Sequence, residues 1–384
     1  MKKHLASEDI CTHLGDEYDR YLGAIIPPIF QNTLFTHKHT DHGYAYSRIS
    51  NPTIELAEKK LAALEAGNWA VCYSSGVAAI SAVIAYFAAN ESHIICIKNT
   101  YGRVNQLLEH YSRKFQISTT FVEGNDPAEI KAAIRPETKL IYLESPSSLV
   151  YQMQDLEAIA CIAKSHDIYT AIDNTWASPI FQNPLCFGID LVIHSLSKYI
   201  GGHSDLIGGV VIGADMEMGT GFHEERAMFG AVMDPHLSWM VTRSIRTLPV
   251  RMKQHQENAL RVASFLEGHP KVSQVFYPGL ASHPQYELGL KQMSGYSGVM
   301  SIAVSGEPEQ VAKMLKQLQY FEVGSSWGGF ESLIALLPFN EKLAGEMNET
   351  ISVSAPKSLL RISVGLENVQ SLINDLDRAL HTLD

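Results

Sequence analysis

The chain has 384 residues and carries 30 Lys and Arg against 41 Asp and Glu, a formal net charge of −11. An acidic balance argues against non-specific nucleic-acid binding, which needs clustered cations. The 46% apolar and 18% charged composition excludes disorder over most of the length, and at roughly 150 residues per domain the chain is long enough for two or three domains with sizeable cores.

Met1 to Gly15 lacks the apolar stretch of a signal peptide. No apolar run reaches the roughly 18 residues of a membrane span. Cys11, Cys72, Cys96, Cys161 and Cys186 are scattered without a C-x-x-C pair. That usage fits reduced thiols in a cytoplasmic protein. Tyr21 to Ser50 mixes Pro27-Pro28, aromatics and His37, His39 and His42 without periodicity. Residues 1–50 are therefore expected to form an arm, its histidines a polar loop rather than a metal site.

From Pro52 the text becomes regular. Helices are expected over Pro52–Ala66, Val77–Ala89, Val104–Phe115 and Leu156–Ser165, each with apolar residues on one face. Between them lie short apolar runs: Val71–Tyr73, His93–Lys98, Leu140–Leu143, a strand ending at Asp173, Leu191–Ile193 and Ile207–Ile212. Buried strands alternating with helices indicate an α/β domain over residues 51–235, with a mostly parallel sheet covered on both faces. After Pro235 one long helix, broken or bent near Pro249, is expected over His236–Leu266. Short strands at Val272–Phe276, Val299–Val304 and Leu359–Ile362 then mark a smaller α+β domain, residues 236–384.

The common nucleotide and metalloprotease motifs are absent. Gly324-Ser325-Ser326-Trp327-Gly328 does fit the G-x-S-x-G elbow of serine hydrolases. Its triad would have to draw on Asp375 or Asp377 and on His381. A stronger signal lies at the strand ends, where ligands of parallel sheets bind. Ser195-Leu196-Ser197-Lys198 follows one strand, and Asp173 ends its neighbour. Ser75-Gly76-Val77 opens a helix, a place suited to phosphate. Tyr101 follows a third strand, where its ring could stack on a flat cofactor. Lysine, carboxylate, phosphate cradle and aromatic lid together are what pyridoxal 5'-phosphate requires. Taken singly, Lys198 reads as a surface lysine and Asp173 as a turn cap.

Ordered blocks extend this signal over nearly the whole chain. They are Gly23-Ala24-Ile25-Ile26-Pro27-Pro28, Tyr46-Ser47-Arg48 with Asn51-Pro52-Thr53, Ser75-Gly76-Val77-Ala78, Asp173-Asn174-Thr175, His194-Ser195-Leu196-Ser197-Lys198-Tyr199, Gly202-His203-Ser204-Asp205 and Arg361-Ile362-Ser363-Val364-Gly365. With them the sequence resembles the Cys/Met-metabolism family of pyridoxal-phosphate enzymes, of fold type I. The resemblance implies that Lys198 carries the cofactor and moves the substrate's α-proton. It implies that Asp173 faces the pyridine nitrogen and that Gly76, Val77, Ser195 and Ser197 hold the phosphate. Tyr101 would cover the ring, and Arg361 would anchor the substrate α-carboxylate. Tyr46 and Arg48 would reach the phosphate of a neighbouring subunit, which implies a homo-oligomer, usually a dimer of dimers.

Within that family Ser326-Trp327-Gly328 and Trp176 resemble the cystathionine β-lyases. So does Ser148, which stands where relatives usually carry Asn near the cofactor's phenolic oxygen. Core packing is the plain alternative for Trp327. The block Tyr46 to Thr53 and Tyr101-Gly102 resemble the γ-enzymes, although Arg103 departs from them and Gln106 counts against a γ-synthase. The resemblance thus implies β-elimination of L-cystathionine, with Ser326, Trp327 and Ser148 near the substrate. A γ-synthase, a γ-lyase or a methionine γ-lyase is the alternative on the same scaffold.

Overall fold

The computed structural model describes residues 5–38, 43–89, 91–337 and 358–383; His39 and His42 lie outside them. The chain divides into two compact units. The first comprises Met1–Ser148, Met153–Pro249 and Gln292–Ser294; the second comprises Leu149–Gln152, Val250–Lys291 and Gly295–Asp384.

The first unit is built on a seven-stranded sheet. Its strands are β1 (Trp69–Tyr73), β2 (His93–Ile97), β3 (Ser118–Val122), β4 (Thr138–Glu144), β5 (Tyr169–Asp173), β6 (Leu191–Ser195) and β7 (Gly209–Gly213). In space the order is β1-β7-β6-β5-β4-β2-β3. The five strands from β6 to β3 run parallel, while β7 is antiparallel to both β6 and β1. Strands β1, β2 and β7 are buried at every position, as two-sided cover demands, and this is why they read as unbroken apolar runs. The edge strand β3 escapes such a reading. Ser118, Thr119 and Thr120 are polar, only Val122 is buried, and pairing with β2 makes the strand.

Helix Pro52–Leu64 starts where expected, because Asn51 Oδ1 accepts the amides of Thr53 and Ile54 (3.1 and 3.0 Å) and Pro52 fills the first turn. The N-terminal segment is not a bare arm. Helix Ser7–His13 packs on helix Pro52–Leu64 of the same chain. Its C-terminal carbonyls, Ile10 and Cys11, accept from the buried Lys60 Nζ at 3.2 and 3.3 Å. Arg246 donates to the Thr12 carbonyl and to Asp16 Oδ1, each at 3.0 Å.

The first unit runs past the expected boundary at 235, because helix Pro235–Ile245 also packs on helix Pro52–Leu64. The helix expected over His236–Leu266, broken or bent near Pro249, is broken there into two helices, Pro235–Ile245 and Leu248–Glu267. Pro249 has no N–H to give and its ring would strike the carbonyl four residues back, so the chain breaks and restarts with the proline in a first turn.

The second unit carries a five-stranded sheet of β8 (Val272–Phe276), β9 (Val299–Val304), β10 (Glu322–Val323), β11 (Leu333–Leu337) and β12 (Ser358–Ser363), in the order β10-β11-β12-β9-β8. All its pairs are antiparallel except β10 with β11. Helix Val369–Leu380 is started by Asn368, whose side chain accepts from Gln370 and Ser371. Among the described residues no helix is long and apolar enough to cross a membrane.

Burial pushes the Lys60 ammonium down to about 8 against Asp16, which works to raise it, whereas the unfolded side chain titrates near 10.5. Between these values the unfolded chain holds the extra proton, so this group makes stability rise with pH by roughly 3 kcal/mol at most. Below the window the cost of burying the cation is fully present. Lys60→Met should flatten the rise, read from urea midpoints on either side of the window. An unchanged slope would assign it to other groups.

Candidate active site

Parallel pairing sets the ends of β4, β5 and β6 side by side. Glu144 pairs in register with Asp173, and Asp173 with Ile193, two residues before Ser195. The carboxyl ends of three strands thus present Glu144, Asp173 and the Ser195–Lys198 turn along one edge. Lys198 N donates to the Ser195 carbonyl at 3.2 Å and Gly202 N to the Lys198 carbonyl at 2.7 Å, so the lysine sits in a tight turn.

Asp173 is buried, and Thr175 donates to its Oδ1 through N (3.0 Å) and Oγ1 (2.5 Å). Thr175 Oγ1 in turn accepts the Ser195 amide at 2.8 Å. A single threonine therefore joins the Asp173 strand to the strand leading to Lys198. Both Thr175 donors use Oδ1. Burial raises the Asp173 carboxyl above its usual range, against the Thr175 hydrogen bonds and the nearby His194 and Lys198.

Helix Gly76–Phe87 begins at the end of β1, and Ser75 Oγ accepts the Ala78 amide at 3.1 Å. The amides of Gly76 and Val77 stand in the first turn, without acceptors of their own helix. A Cβ on Gly76 would lie 3.0 Å from Ser195 Oγ, and one on Gly209 would lie 2.3 Å from the Ser75 carbonyl oxygen. The absence of both side chains lets the helix start close against Ser195. Ser197 Oγ accepts the Gly208 amide at 3.2 Å. Amides, hydroxyls and a helix N-terminus form a donor set for phosphate, and the buried carboxylate beside Lys198 completes what pyridoxal phosphate needs. The residues fit the group.

Tyr101 opens helix Gly102–Phe115 after β2 and is half exposed. Its amide donates to Glu144 Oε2 at 2.7 Å, and Ser148 Oγ donates to Glu144 Oε1 at 2.6 Å. Glu144 is a residue the sequence reading passed over. Burial first, then the charge of Asp173, raises its carboxyl, while Ser148 and Tyr101 oppose the shift. Its signal was the one that marked Asp173, a carboxylate closing an apolar strand.

Glu65 left no such trace. It caps helix Pro52–Leu64 and has no solvent exposure. Glu65 Oε1 pairs with His194 Nε2 at 2.6 Å and accepts Asn174 Nδ2 at 2.8 Å. One carboxylate therefore holds the neighbours of both Asp173 and Ser195.

Tyr46 and Arg48 are exposed and brought to each other, the guanidinium 5.6 Å from the ring centroid, with Arg48 Nη1 donating to the Ala227 carbonyl. Buried Arg226 donates to the Ile49 carbonyl at 3.0 Å and pairs with Glu58 at 2.6 Å, pinning the turn that carries them.

In the second unit Arg361 lies on β12, half-buried, and its Nη2 donates to the Ser326 carbonyl at 3.2 Å. Burial lowers its pKa and Tyr151 opposes this. Ser326 is exposed and Trp327 half-buried, in the loop between β10 and β11. The hydrolase elbow is therefore not formed, since that motif needs a strand turning directly into a helix. Asp375 is committed elsewhere: it accepts the amides of Gln319 (3.0 Å) and Tyr320 (2.8 Å).

The family model described as Cys/Met metabolism PLP-dependent enzyme matches residues 8–381. The chain is 36% identical over 387 residues to a cystathionine gamma-lyase of Bacillus subtilis (strain 168), with 100% of both chains covered. It is 38% identical over 374 residues to a cystathionine beta-lyase of Lactococcus lactis subsp. cremoris (strain MG1363), covering 96% of this chain and 97% of the relative. The crystal structure of metB from Corynebacterium glutamicum matches with a TM-score of 0.90 at 34% identity, over 98% of each chain. A family model matched over residues 8–381, with relatives 36% and 38% identical along almost the whole chain, places this protein in the family of pyridoxal-phosphate-dependent enzymes of cysteine and methionine metabolism.

Proposed function

We propose that the protein is a carbon–sulfur lyase that cleaves L-cystathionine by β-elimination, releasing homocysteine, pyruvate and ammonia. The relatives include both beta- and gamma-lyases. What favours β-elimination is the pair Ser148 and Trp327, read with the short reach of the Ser148 hydroxyl, which is held by Glu144.

When bound, pyridoxal phosphate supplies an electron sink next to the substrate's α-carbon. The chain's residues do the rest. Gly76, Val77, Ser195 and Ser197 hold the phosphate, and Tyr46 and Arg48 add to the cradle of a neighbouring subunit in a dimer of dimers. Asp173 holds a proton on the ring nitrogen through charge and hydrogen bonding. Tyr101, whose backbone N–H donates to Glu144, would cover the ring. Arg361 grips the α-carboxylate as a planar fork. Lys198 takes the α-proton, the β carbon–sulfur bond breaks, and the sulfur leaves as homocysteine after gaining a proton. The three-carbon enamine hydrolyses to pyruvate and ammonia. A γ-elimination would need a second deprotonation, at the β-carbon.

Incubation with L-cystathionine tests the reading directly. Homocysteine with pyruvate is expected, whereas cysteine with 2-oxobutanoate would move the enzyme to the γ-branch. Lys198→Ala should lower kcat/KM by at least about 10³-fold, the loss of a positioned acid–base group. Glu65→Gln keeps the volume but removes the charge on which His194 and Asn174 converge. Titrating the cofactor-free variant with pyridoxal phosphate should show roughly tenfold weaker binding, the scale of a lost supporting contact; native affinity would make Glu65 a purely structural group.

A further inference from the structure

Away from these residues, and among those described, His269, Asp377 and His381 form a second cluster able to hold a metal ion, with ligand atoms all within 4.8 Å of one another. All three belong to the second unit. His269 lies just past helix Leu248–Glu267. Asp377 and His381 are four residues apart at the end of helix Val369–Leu380 and share one face.

The spacing is the telling observation. Asp377 Oδ1 stands 3.4 Å from His269 Nε2 and 3.4 Å from His381 Nδ1. A charged nitrogen–oxygen hydrogen bond would close to about 2.8 Å. Two ligand atoms on one tetrahedral ion, with bonds of roughly 2.0–2.1 Å, stand about 3.4 Å apart. Asp377 Oδ1 thus stands at the ion-sharing separation from both rings. His269 is 5% exposed, and its buried Nε2 has no hydrogen-bond partner. Phe265, 5.6 Å away between ring centroids, backs it, and the His381 ring meets it edge-on at 5.2 Å.

We propose that His269, Asp377 and His381 bind a divalent transition-metal ion, zinc foremost, with solvent in the fourth position. Two imidazoles and one carboxylate suit zinc and its neighbours, whereas calcium and magnesium require six or more oxygen ligands. The ion ties the last helix to the end of helix Leu248–Glu267. The Lys271 amide donates to His269 Nδ1 at 3.2 Å. Ligation through Nε2 moves the neutral ring's proton to Nδ1 and costs that contact. His381 now donates to the Asp377 carbonyl at 2.8 Å through Nδ1, and its exposed ring can turn to offer either nitrogen.

The test is calorimetric titration of the holoenzyme with zinc chloride. One saturable ion per chain is expected for the native protein. Asp377→Asn and His381→Ala change solvent-facing side chains, and circular dichroism checks that the fold is kept. Each should weaken binding by at least about tenfold and abolish any zinc-dependent rise in melting temperature. Absence of saturable binding would overturn the proposal. So would equal affinity in native protein and both variants, which would assign the zinc to other groups such as the exposed thiols of Cys161 and Cys186.

Discussion

Everything at the lysine end of the sheet depends on one buried charge. A carboxylate taken fully out of water survives only if its lone pairs are filled. Glu65 meets that condition with His194 and Asn174 on one oxygen and Asn183, at 3.4 Å, near the other. His194 leads into Ser195 and Lys198, and Asn174 follows Asp173. The requirement that Glu65 be satisfied is thus also a requirement that β5 and β6 end where they do. Thr175 repeats the tie one layer out, linking Asp173 to the Ser195 amide.

Two further carboxylates, Glu144 and Asp173, stand at adjacent strand ends, and burial raises both. Such a pair weakens an isolated fold, because each charge is short of water and close to its like. Lys198, which opposes the rise at Asp173, is a cation the chain itself supplies there. Site and stability therefore pull against each other.

In the second unit Arg361 is half-buried, with the Ser326 carbonyl accepting from one end of its five-donor fork. Arg226 in the first unit shows the contrasting case. Its fork is filled by Glu58 and by the carbonyls of Cys72 and Ile49, so it holds structure together and is closed to a ligand.

The sequence by itself determined the parallel sheet, because strands buried on both faces must be written as unbroken apolar runs. It also determined the cofactor class, because Lys198, Asp173 and Ser75-Gly76-Val77 each follow such a run and recur in ordered blocks. Even there it was blind to Ser118–Val122, whose polar residues need only a neighbour to become a strand. Only the tertiary structure decided what supports the chemistry. Glu65 meets Asn174 across 109 positions and His194 across 129, and the Asp377 pair meets His269 from another helix. Hydrogen bonds and ligand spacings of that kind arise between elements, and they leave no period in the chain from which to read them.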